Sequence, residues 1–332
     1  MRVLITGGTG FIGSALARRL CECGHDVRVL SLLRDPVEKE TARRLRDSGI
    51  EVVEGDVADR SLHSVALEGV EIVHHVAAAM REAGVRRSAF WDTNVAATRD
   101  LVEESRARGV ARFVYCSTMG VTGGLKGQVV DESAPYRPKD IYTRTKAAAE
   151  KWILEQARAT GFPAVVVRPA DVYGPGDRRL LKLFRLVREG RFFYLGAGRG
   201  RRHMVFIEDL LDGMIRAQEV PEAVGEVFLL AGPSPVRLCD LVELIARELD
   251  VAPPRRRLPY RPVWLLSGVV EAACRPFRIS PPIYPRRIEF YAHDYAFDTS
   301  RARLVLGYDP RVDMVEGVRR TIRDYREKGL LA

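Results

Sequence analysis

Apolar runs of strand type alternate with helical patterns through the first half of the chain. The strand-type runs are at residues 2–5, 26–31, 51–54, 71–76, 111–116 and 163–168. The helical patterns lie between them, near residues 12–23, 36–48, 61–68, 87–108 and 143–160. Nearly continuous apolar strands interleaved with helices are typical of a sheet that is covered on both faces. The pattern therefore predicts an α/β fold with a doubly wound parallel sheet.

A glycine-rich turn joins the first predicted strand to the first predicted helix. Residues 6–13 read Thr-Gly-Gly-Thr-Gly-Phe-Ile-Gly, directly after an apolar run. Glycines at this spacing allow a tight turn, a close approach of the backbone to a pyrophosphate, and close packing of the helix on the strand. The helix N-terminus adds unpaired N–H groups and the positive end of the helix dipole. This context predicts a Rossmann-type dinucleotide site that includes Gly7, Gly10, Phe11, Ile12 and Gly13.

The alternation loosens in the second half of the chain. Helical patterns lie near residues 178–189, 207–219, 237–249, 263–275 and 314–328, with Pro-rich breaks at 253–262 and 276–285. A strand-type run at Val227–Ala231 is expected to wind back into the first sheet. We expect a dinucleotide-binding domain over residues 1–170 and a smaller, mostly helical substrate lobe over 171–332, with about 203–232 returning to the first domain.

The net charge of +9 is unevenly distributed. Nine basic residues between Asp177 and Arg202 face two acidic ones, and eight arginines between Arg255 and Arg287 face Glu271 alone. Such clusters suit a phosphate-bearing substrate or an anionic membrane surface, or they are solvated faces. No nucleic-acid motif and no aromatic interleaving accompany them, so we expect no nucleic-acid partner.

The start of the chain and its cysteines indicate the compartment. Met1-Arg2 leads straight into the first predicted strand, so we expect no signal peptide. Five cysteines are an odd number without metal-ligand spacing, which predicts no metal site and a reduced, cytoplasmic setting.

Residues 263–274 form the most apolar segment of the second half. They fall short of the roughly 20 residues that a transmembrane helix needs, so no transmembrane segment is predicted. We expect a helix that packs in the core; an apolar ligand on one of its faces, or peripheral contact with a membrane, stays open.

Tyr142 and Lys146 are spaced to share one face of a predicted helix, one turn apart. Free tyrosine has a pKa of about 10 and is a poor base at neutral pH. A nearby ammonium favours the phenolate and lowers that pKa. Thr118 follows the predicted strand 111–116 and so lies at the sheet edge where such folds bind ligands. The three residues predict a site where a tyrosine of lowered pKa lies beside a hydroxyl that can orient a carbonyl or alcohol oxygen; the family resemblance described next implies hydride transfer there, with Tyr142 as the acid/base.

These motifs make the chain resemble the extended short-chain dehydrogenases/reductases, which include nucleotide-sugar epimerases and dehydratases and the 3β-hydroxysteroid dehydrogenase type. Besides the glycine turn and the Tyr/Lys pair, the resemblance rests on Gly55-Asp56-Val57, His75-Val76-Ala77-Ala78, Asn94-Val95, Ser117-Thr118-Met119-Gly120-Val121 and Arg168-Pro169. The resemblance extends over almost the whole chain. It also implies a homodimer formed through the helices at 87–108 and 143–160.

The resemblance implies roles for the matched positions. Asp56 meets the adenine ring, Ala77 and Ala78 line the cofactor path, and Asn94 supports the active-site network. Val57 belongs to the same cofactor site.

In the reaction itself, Lys146 binds the nicotinamide ribose and Thr118 holds the reacting oxygen. Ser117 is then a structural hydroxyl and His75 a packing residue rather than a catalytic one.

The position that separates NAD from NADP departs from the usual pattern. NAD users commonly carry an acidic residue at the end of the second strand, where it accepts hydrogen bonds from the ribose 2′-OH. Ser31 stands there in this chain, and Arg34 follows it, able to pair with a 2′-phosphate. The cofactor is therefore predicted to be NAD or NADP, with the choice open.

The leading hypothesis is an NAD(P)-dependent oxidoreductase acting on a secondary alcohol or its ketone, of the 3β-hydroxysteroid dehydrogenase or ketone reductase type. Met119 and Gly120 replace the carboxylates that dehydratases of the family carry after the catalytic threonine, which disfavours water elimination.

Two alternatives stay open: a nucleotide-sugar epimerase with retained NAD, and a non-catalytic dinucleotide-binding protein. Asp171 disfavours a substrate diphosphate unless it is paired, whereas the pairs Arg178/Arg179 and Arg201/Arg202 suit a phosphate clamp. Asp171, Arg178 and Arg202 are accordingly the candidate substrate residues beside Thr118.

Overall fold

A seven-stranded, fully parallel sheet forms the centre of the molecule. The computed structural model describes residues 1–80, 86–123, 128–274 and 294–331, with residues 276–277, 279, 281–285 and 288 between the last two ranges. The strands of the sheet are β1 (Arg2–Thr6), β2 (Asp26–Ser31), β3 (Glu51–Glu54), β4 (Ile72–His75), β5 (Arg112–Cys116), β7 (Ala164–Pro169) and β12 (Val227–Leu230). Their order across the sheet is β12-β7-β5-β4-β1-β2-β3.

The sheet confirms the predicted fold class, because all six strands expected in the first half are present and run parallel. The seventh strand comes from the C-terminal half: Val227 pairs with Val166, and Leu230 pairs with Pro169. Side chains of the central strand β1 alternate between the two faces. Val3 and Ile5 enter the core on one side, and Leu4 enters the core on the other.

Helices cover both faces of the sheet and build the C-terminal half. They are α1 (Phe11–Glu22), α2 (Pro36–Asp47), α3 (His63–Ala66), α4 (Arg87–Trp91), α5 (Ala97–Ala107), α6 (Ile141–Thr160), α7 (Leu181–Arg188), α8 (Ile207–Glu219), α9 (Leu238–Glu248), α10 (Tyr260–Cys274), α11 (Ser300–Leu306) and α12 (Met314–Glu327). A π-helical turn, Asp92–Ala96, joins α4 to α5, and short 3₁₀ helices occupy Arg60–Leu62, Met119–Thr122 and Pro221–Ala223.

Short two-stranded pairs tie the C-terminal half together and to the first half. The remaining strands are β6 (Val129–Val130), β8 (Asp171–Tyr173), β9 (Tyr194–Leu195), β10 (Arg201–Arg202), β11 (Met204–Phe206), β13 (Val236–Arg237), β14 (Arg257–Leu258) and β15 (Ala296–Phe297). They pair as β6 with β15, β8 with β11, β9 with β14 and β10 with β13. The pairing of β8 with β11 fixes the segment that directly follows β7.

Local capping sets the start of α6, the helix that carries Tyr142 and Lys146. The Asp140 carboxylate accepts a hydrogen bond from Thr143 N at 2.9 Å, and Asp140 N donates to Thr143 Oγ1 at 3.2 Å. This reciprocal capping box satisfies two backbone groups at once and places Tyr142 in the first turn. The helix ends at Gly161, whose φ of +70° is the left-handed conformation that glycine adopts without strain.

The core packing expected for residues 263–274 is wrong. Helix α10 contains this segment, and Ser267 is the only residue of that helix that is buried. Leu265, Leu266 and Val269 are 63%, 55% and 65% exposed. In the part of the chain that the structure describes, no helix is both long enough and apolar enough to cross a membrane.

Candidate active site

The loops that follow the strands at their carboxyl ends open into one cavity of about 540 Å³. This volume lies in the range of small-molecule and cofactor sites. The lining contains the predicted residues Gly7, Gly10, Phe11, Ile12, Gly13, Ser31, Arg34, Asp56, Val57, Ala77, Ala78, Thr118, Tyr142, Lys146, Asp171 and Arg202. Residues far apart in sequence therefore meet where ligands bind in open α/β sheets.

The glycine turn is packed too tightly for side chains. Gly7 has a φ of +70°, and a Cβ there would lie 2.8 Å from Ala77 Cα. A Cβ on Gly13 would lie 2.3 Å from Gly7 O. Helix α1 begins directly after this turn, and no side chain caps its N-terminus. Its first N–H groups and its dipole are thus directed at a wall of the cavity, which fits the pyrophosphate of a dinucleotide.

A carboxylate that the sequence pattern did not single out, Glu38, lines the cavity together with Ser31. Ser31 Oγ accepts a hydrogen bond from Thr9 N at 3.1 Å and so braces the glycine turn. Glu38, in the first turn of α2, lines the cavity with Arg34. Arg34 N donates to Glu38 Oε2 at 2.7 Å, and Arg34 Nη2 lies 3.3 Å from Glu38 Oε1. The signal was available, because Asp35 is a strong N-cap and fixes where this turn begins.

His75 is a packing residue, as its position suggested. It is fully buried, and its ring nitrogens lie 2.7 Å from Thr6 Oγ1 and 2.8 Å from Thr98 Oγ1. Burial lowers the pKa of His75 well below its usual range, and the charge of Lys146 lowers it further. The His75 ring is therefore neutral, and it bridges β4 to α5.

Asn94 is not among the described residues that line the cavity; it braces the residues that do. Its Oδ1 accepts a hydrogen bond from Ala79 N at 2.7 Å, and its Nδ2 donates to Ala79 O at 3.1 Å. The same Nδ2 donates to Thr145 Oγ1 at 3.0 Å. Thr145 directly precedes Lys146, so Asn94 links the loop after β4 to the first turns of α6.

Lys146 is a buried ammonium on the wall of the cavity. It is 1% exposed, and its Nζ lies 4.1 Å from the centre of the Tyr115 ring. Burial lowers its pKa to about 8, although the charges of Cys116 and Glu150 oppose this. Tyr142 lies one turn earlier on α6 and lines the same cavity.

The hydroxyls of Thr118 and Ser117, just after the end of β5, have different hydrogen-bond partners. Thr118 lines the cavity, and its Oγ1 accepts a hydrogen bond from Gly120 N at 3.2 Å. Ser117 also contributes to the lining, but it is buried and its hydroxyl donates to the buried carboxylate of Glu150. Arg168 Nη2 donates to the same carboxylate at 2.5 Å, and Tyr136 OH donates to it at 2.8 Å. This network holds β5, α6 and β7 in one arrangement beneath the cavity.

The far end of the cavity is cationic. The side chain of Arg202 is 3% exposed, and its Nη1 lies 3.7 Å from Asp171 Oδ2. Its guanidinium carbon lies 5.3 Å from the centre of the Tyr295 ring. Asp171, which by itself would repel an anion, is therefore paired.

Arg179 reaches the cavity in place of its neighbour Arg178. The side chains of Arg178 and Arg179 are both exposed, that of Arg179 at 54%, but only Arg179 is among the described residues of the lining. Arg179 Nε lies 3.0 Å from Asp177 Oδ1. Partial desolvation works against the charge of Arg179, but the Asp177 carboxylate raises its pKa, and the charges of Asp171 and Tyr142 add to this. The sequence pattern did not show which of the two arginines lines the cavity, because that depends on the turn before α7.

Comparison with known proteins places the geometry in context. The family model described as "NAD dependent epimerase/dehydratase family" matches residues 3–231. A 3β-hydroxysteroid dehydrogenase/Δ5→4-isomerase of Mycobacterium tuberculosis is 31% identical over 325 residues, which cover 93% of this chain and 86% of that one. A 2-alkyl-3-oxoalkanoate reductase of Stenotrophomonas maltophilia is 29% identical over 335 residues, covering 96% and 98% of the two chains.

The fold is also that of solved structures. The crystal structure of a UDP-glucuronic acid 4-epimerase from Bacillus cereus in complex with NAD superposes with a TM-score of 0.81. The superposition covers 99% of each chain at 22% sequence identity. At this identity the likeness concerns the fold.

Proposed function

Because the chain belongs to the NAD dependent epimerase/dehydratase family, we propose that it interconverts a secondary alcohol and a ketone at the cavity described above. It is an enzyme of the extended short-chain dehydrogenase/reductase type. The observation that supports the proposal is the placement of Thr118, Tyr142 and Lys146 on one wall of the cavity that the glycine turn also lines.

In the proposed mechanism, Thr118 Oγ1 holds the substrate oxygen within reach of Tyr142. In the oxidation, the Tyr142 phenolate takes the hydroxyl proton; in the reduction, the Tyr142 hydroxyl returns it. A nicotinamide cofactor, when bound, would accept or supply the hydride. Lys146, held as a buried cation, favours the phenolate and is available to bind the ribose. The guanidinium of Arg179 adds a second positive charge near Tyr142.

The proposed substrate is a mainly apolar alcohol or ketone, of the steroid or alkyl-3-oxo acid type. The relatives' names support this class. Met119 and Gly120 leave no carboxylate beside Thr118 for water elimination. Arg179 and Arg202, which both line the cavity, suit a carboxylate on such a substrate.

A nucleotide-sugar epimerase is the second candidate, because the same two arginines suit a diphosphate. The two functions differ in net redox change. A dehydrogenase or reductase exchanges its cofactor and changes the absorbance of the reduced nicotinamide, whereas an epimerase keeps its cofactor and shows no net change.

The test is an assay of wild type and Tyr142→Phe with NADH and NADPH against 3-oxosteroids, 2-alkyl-3-oxo acids and UDP-sugars. We expect turnover of one of the first two classes, with kcat about 1000-fold lower in Tyr142→Phe. Cofactor binding by fluorescence should be retained in the variant. Equal activity of Tyr142→Phe would favour a non-catalytic dinucleotide-binding protein, and turnover of UDP-sugars alone would favour the epimerase.

We further propose that Glu38 and Arg34 decide between NAD and NADP. The Glu38 carboxylate lines the cavity beside Ser31, where it can accept a hydrogen bond from a ribose 2′-OH and would repel a 2′-phosphate. Glu38→Gln should strengthen NADPH binding relative to NADH by about tenfold, and Arg34→Ala should act in the opposite direction. Titration of both reduced cofactors into each variant measures the ratio. An unchanged ratio in both variants would contradict the proposal.

A homodimer through α5 and α6 is also proposed, since the family resemblance implies it. Trp91, at the end of α4, is 44% exposed and offers a large apolar contact near these helices. Analytical ultracentrifugation of wild type and Trp91→Ser tests it: a dimer that the variant weakens is expected, and a monomeric wild type would refute it.

A further inference from the structure

Helix α10 presents a continuous apolar side to solvent. Apart from Arg261 in the first turn, its exposed positions are apolar; besides Trp264 they follow helical spacing along one side: Pro262, Leu265, Leu266, Val269, Ala272 and Ala273. Ser267 is buried, and Glu271 is partly covered. A helix that covers a soluble core has the opposite arrangement. We call this exposed side the α10 face.

Apolar exposure continues past the helix. Phe277 and Ile279 are 74% and 62% exposed, and Trp264 within the helix is 38% exposed. Isolated apolar side chains are common on protein surfaces, whereas a contiguous set indicates an interaction site. Leu304 on α11, which is 86% exposed, is an example of the isolated kind.

Positive charge borders the α10 face. Arg255, Arg256, Arg257 and Arg261 are exposed directly before or within the first turn of α10. Four more arginines follow the helix in the sequence, at 275, 278, 286 and 287, outside the described residues. The sequence from 255 to 287 holds eight arginines and one acidic residue. Aliphatic and aromatic side chains bordered by arginines are complementary to an anionic lipid surface.

We propose that the α10 face docks onto the surface of an anionic membrane, with the helix lying in the plane of the interface. Leu265, Leu266 and Val269 then enter the boundary between headgroups and acyl chains, and the exposed Arg255, Arg256 and Arg261 contact the lipid phosphates. A helix of 15 residues suits this position rather than a span.

A second copy of the chain fits the α10 face less well. A two-fold contact would bring the same patch from both copies together, arginines included. The like charges around the two patches would then repel each other. Lipid phosphates relieve that charge instead, so the observations favour the membrane. The proposal is independent of the reaction catalysed.

Co-sedimentation of the full chain with vesicles tests the proposal. We expect binding to equimolar phosphatidylcholine and phosphatidylglycerol, much weaker binding to phosphatidylcholine alone, and release at high salt. Leu265→Gln with Val269→Gln should weaken binding by at least about tenfold. Arg255→Gln with Arg256→Gln should weaken it by about fivefold for each arginine removed.

Matched controls lie elsewhere on the surface. Leu304→Gln and Arg323→Gln alter an exposed leucine and an exposed arginine away from α10, and both should bind as wild type does. Cofactor binding and circular dichroism confirm that every variant is folded. Unchanged binding of the Leu265/Val269 variant, or equal binding to neutral vesicles, would overturn the proposal. Absent vesicle binding with a change in oligomeric state in that variant would assign the face to a second copy.

Discussion

Helices α6 and α10 both depart from the usual arrangement of a surface helix, and they depart in opposite directions. Helix α6 buries charge: Lys146 and Glu150 are 1% and 0% exposed. Helix α10 exposes apolar side chains, with Leu265 and Val269 at 63% and 65%. Charged groups are rarely buried without partners, and large apolar patches are rarely left in water.

The two helices differ in whether the side chains that break the usual arrangement have partners within the chain. The charges of α6 are satisfied within the chain, by the Arg168 guanidinium, the Ser117 and Tyr136 hydroxyls and the Tyr115 ring. For the α10 face, the residues that the structure describes supply no such cover. A buried charge with internal partners marks the reaction site, and an exposed apolar face marks a surface that meets something outside the chain.

The largest expected effect comes from removing the charge that α6 buries. Lys146→Met should lower kcat by about 1000-fold, because the phenolate of Tyr142 loses the ammonium one helical turn away. At pH 7 it should also raise the free energy of unfolding by up to about 3 kcal/mol, because the desolvation that lowers the pKa of Lys146 to about 8 is relieved. Steady-state kinetics and urea unfolding measure the two effects.

Lys151→Met is the control for this change, since Lys151 is exposed on the same helix. It should leave kcat unchanged and shift stability by less than about 1 kcal/mol. If Lys146→Met were inactive and also less stable than wild type, the charge of Lys146 would stabilise the fold. It would then not be a charge whose burial lowers stability in return for activity.

The second effect concerns the partners of Glu150. Glu150→Gln keeps the shape of the side chain but leaves the buried charge of Arg168 without its counter-charge. Loss of one partner of a buried ion pair typically costs 3–5 kcal/mol, so we expect about 3 kcal/mol from urea unfolding. The double change Glu150→Met with Arg168→Met should recover much of this loss.

The exposed pair of Glu104 and Arg108 on α5 provides the comparison, at 2.6 Å with both side chains about one third exposed. Glu104→Gln should cost less than about 1 kcal/mol. Equal costs for Glu104→Gln and Glu150→Gln would show that the network beneath the cavity is open to water.

The pH dependence of stability isolates the buried ammonium. The pKa of Lys146 is about 8 in the folded protein, against about 10.4 for an unfolded lysine. Between these values the unfolded chain binds more protons, so wild-type stability should rise with pH relative to Lys146→Met, by at most about 1.4 kcal/mol per pH unit. Below pH 8 the difference between the two proteins should stay constant. If the free energies of unfolding of the two proteins changed in parallel over the whole pH range, the pKa of Lys146 would not be lowered by burial.

The two helices also show what the sequence could predict. Tyr142, Lys146 and Thr118 were predicted to lie at one site because helical spacing and a strand end are local patterns, and the structure places all three on the lining of one cavity. Glu38 was missed although the Asp35 N-cap is a local signal for its place in the first turn of α2. Arg178 was chosen as the cavity residue instead of its neighbour Arg179, because which of the two lines the cavity depends on the turn before α7. The burial of α10 was predicted wrongly because an apolar segment has the same pattern whether the core or an outside partner covers it.

The smallest expected effect is the loss of stability on shortening an exposed apolar side chain of α10. Comparing it with the same change at a buried position of α6 tests the difference between the two helices most directly. Ile153 on α6 is 0% exposed, and Ile153→Ala should cost 2–4 kcal/mol, the range of about 2–5 kcal/mol found when large aliphatic side chains are removed from a core. Leu265→Ala on α10 removes a similar volume but should change the free energy of unfolding by less than about 0.5 kcal/mol, because its side chain is in water in both states. Urea unfolding of both variants in dilute solution, without lipid, makes the comparison. A cost above 1 kcal/mol for Leu265→Ala would mean that the chain or a second copy already covers the α10 face, leaving no free surface for a membrane to bind.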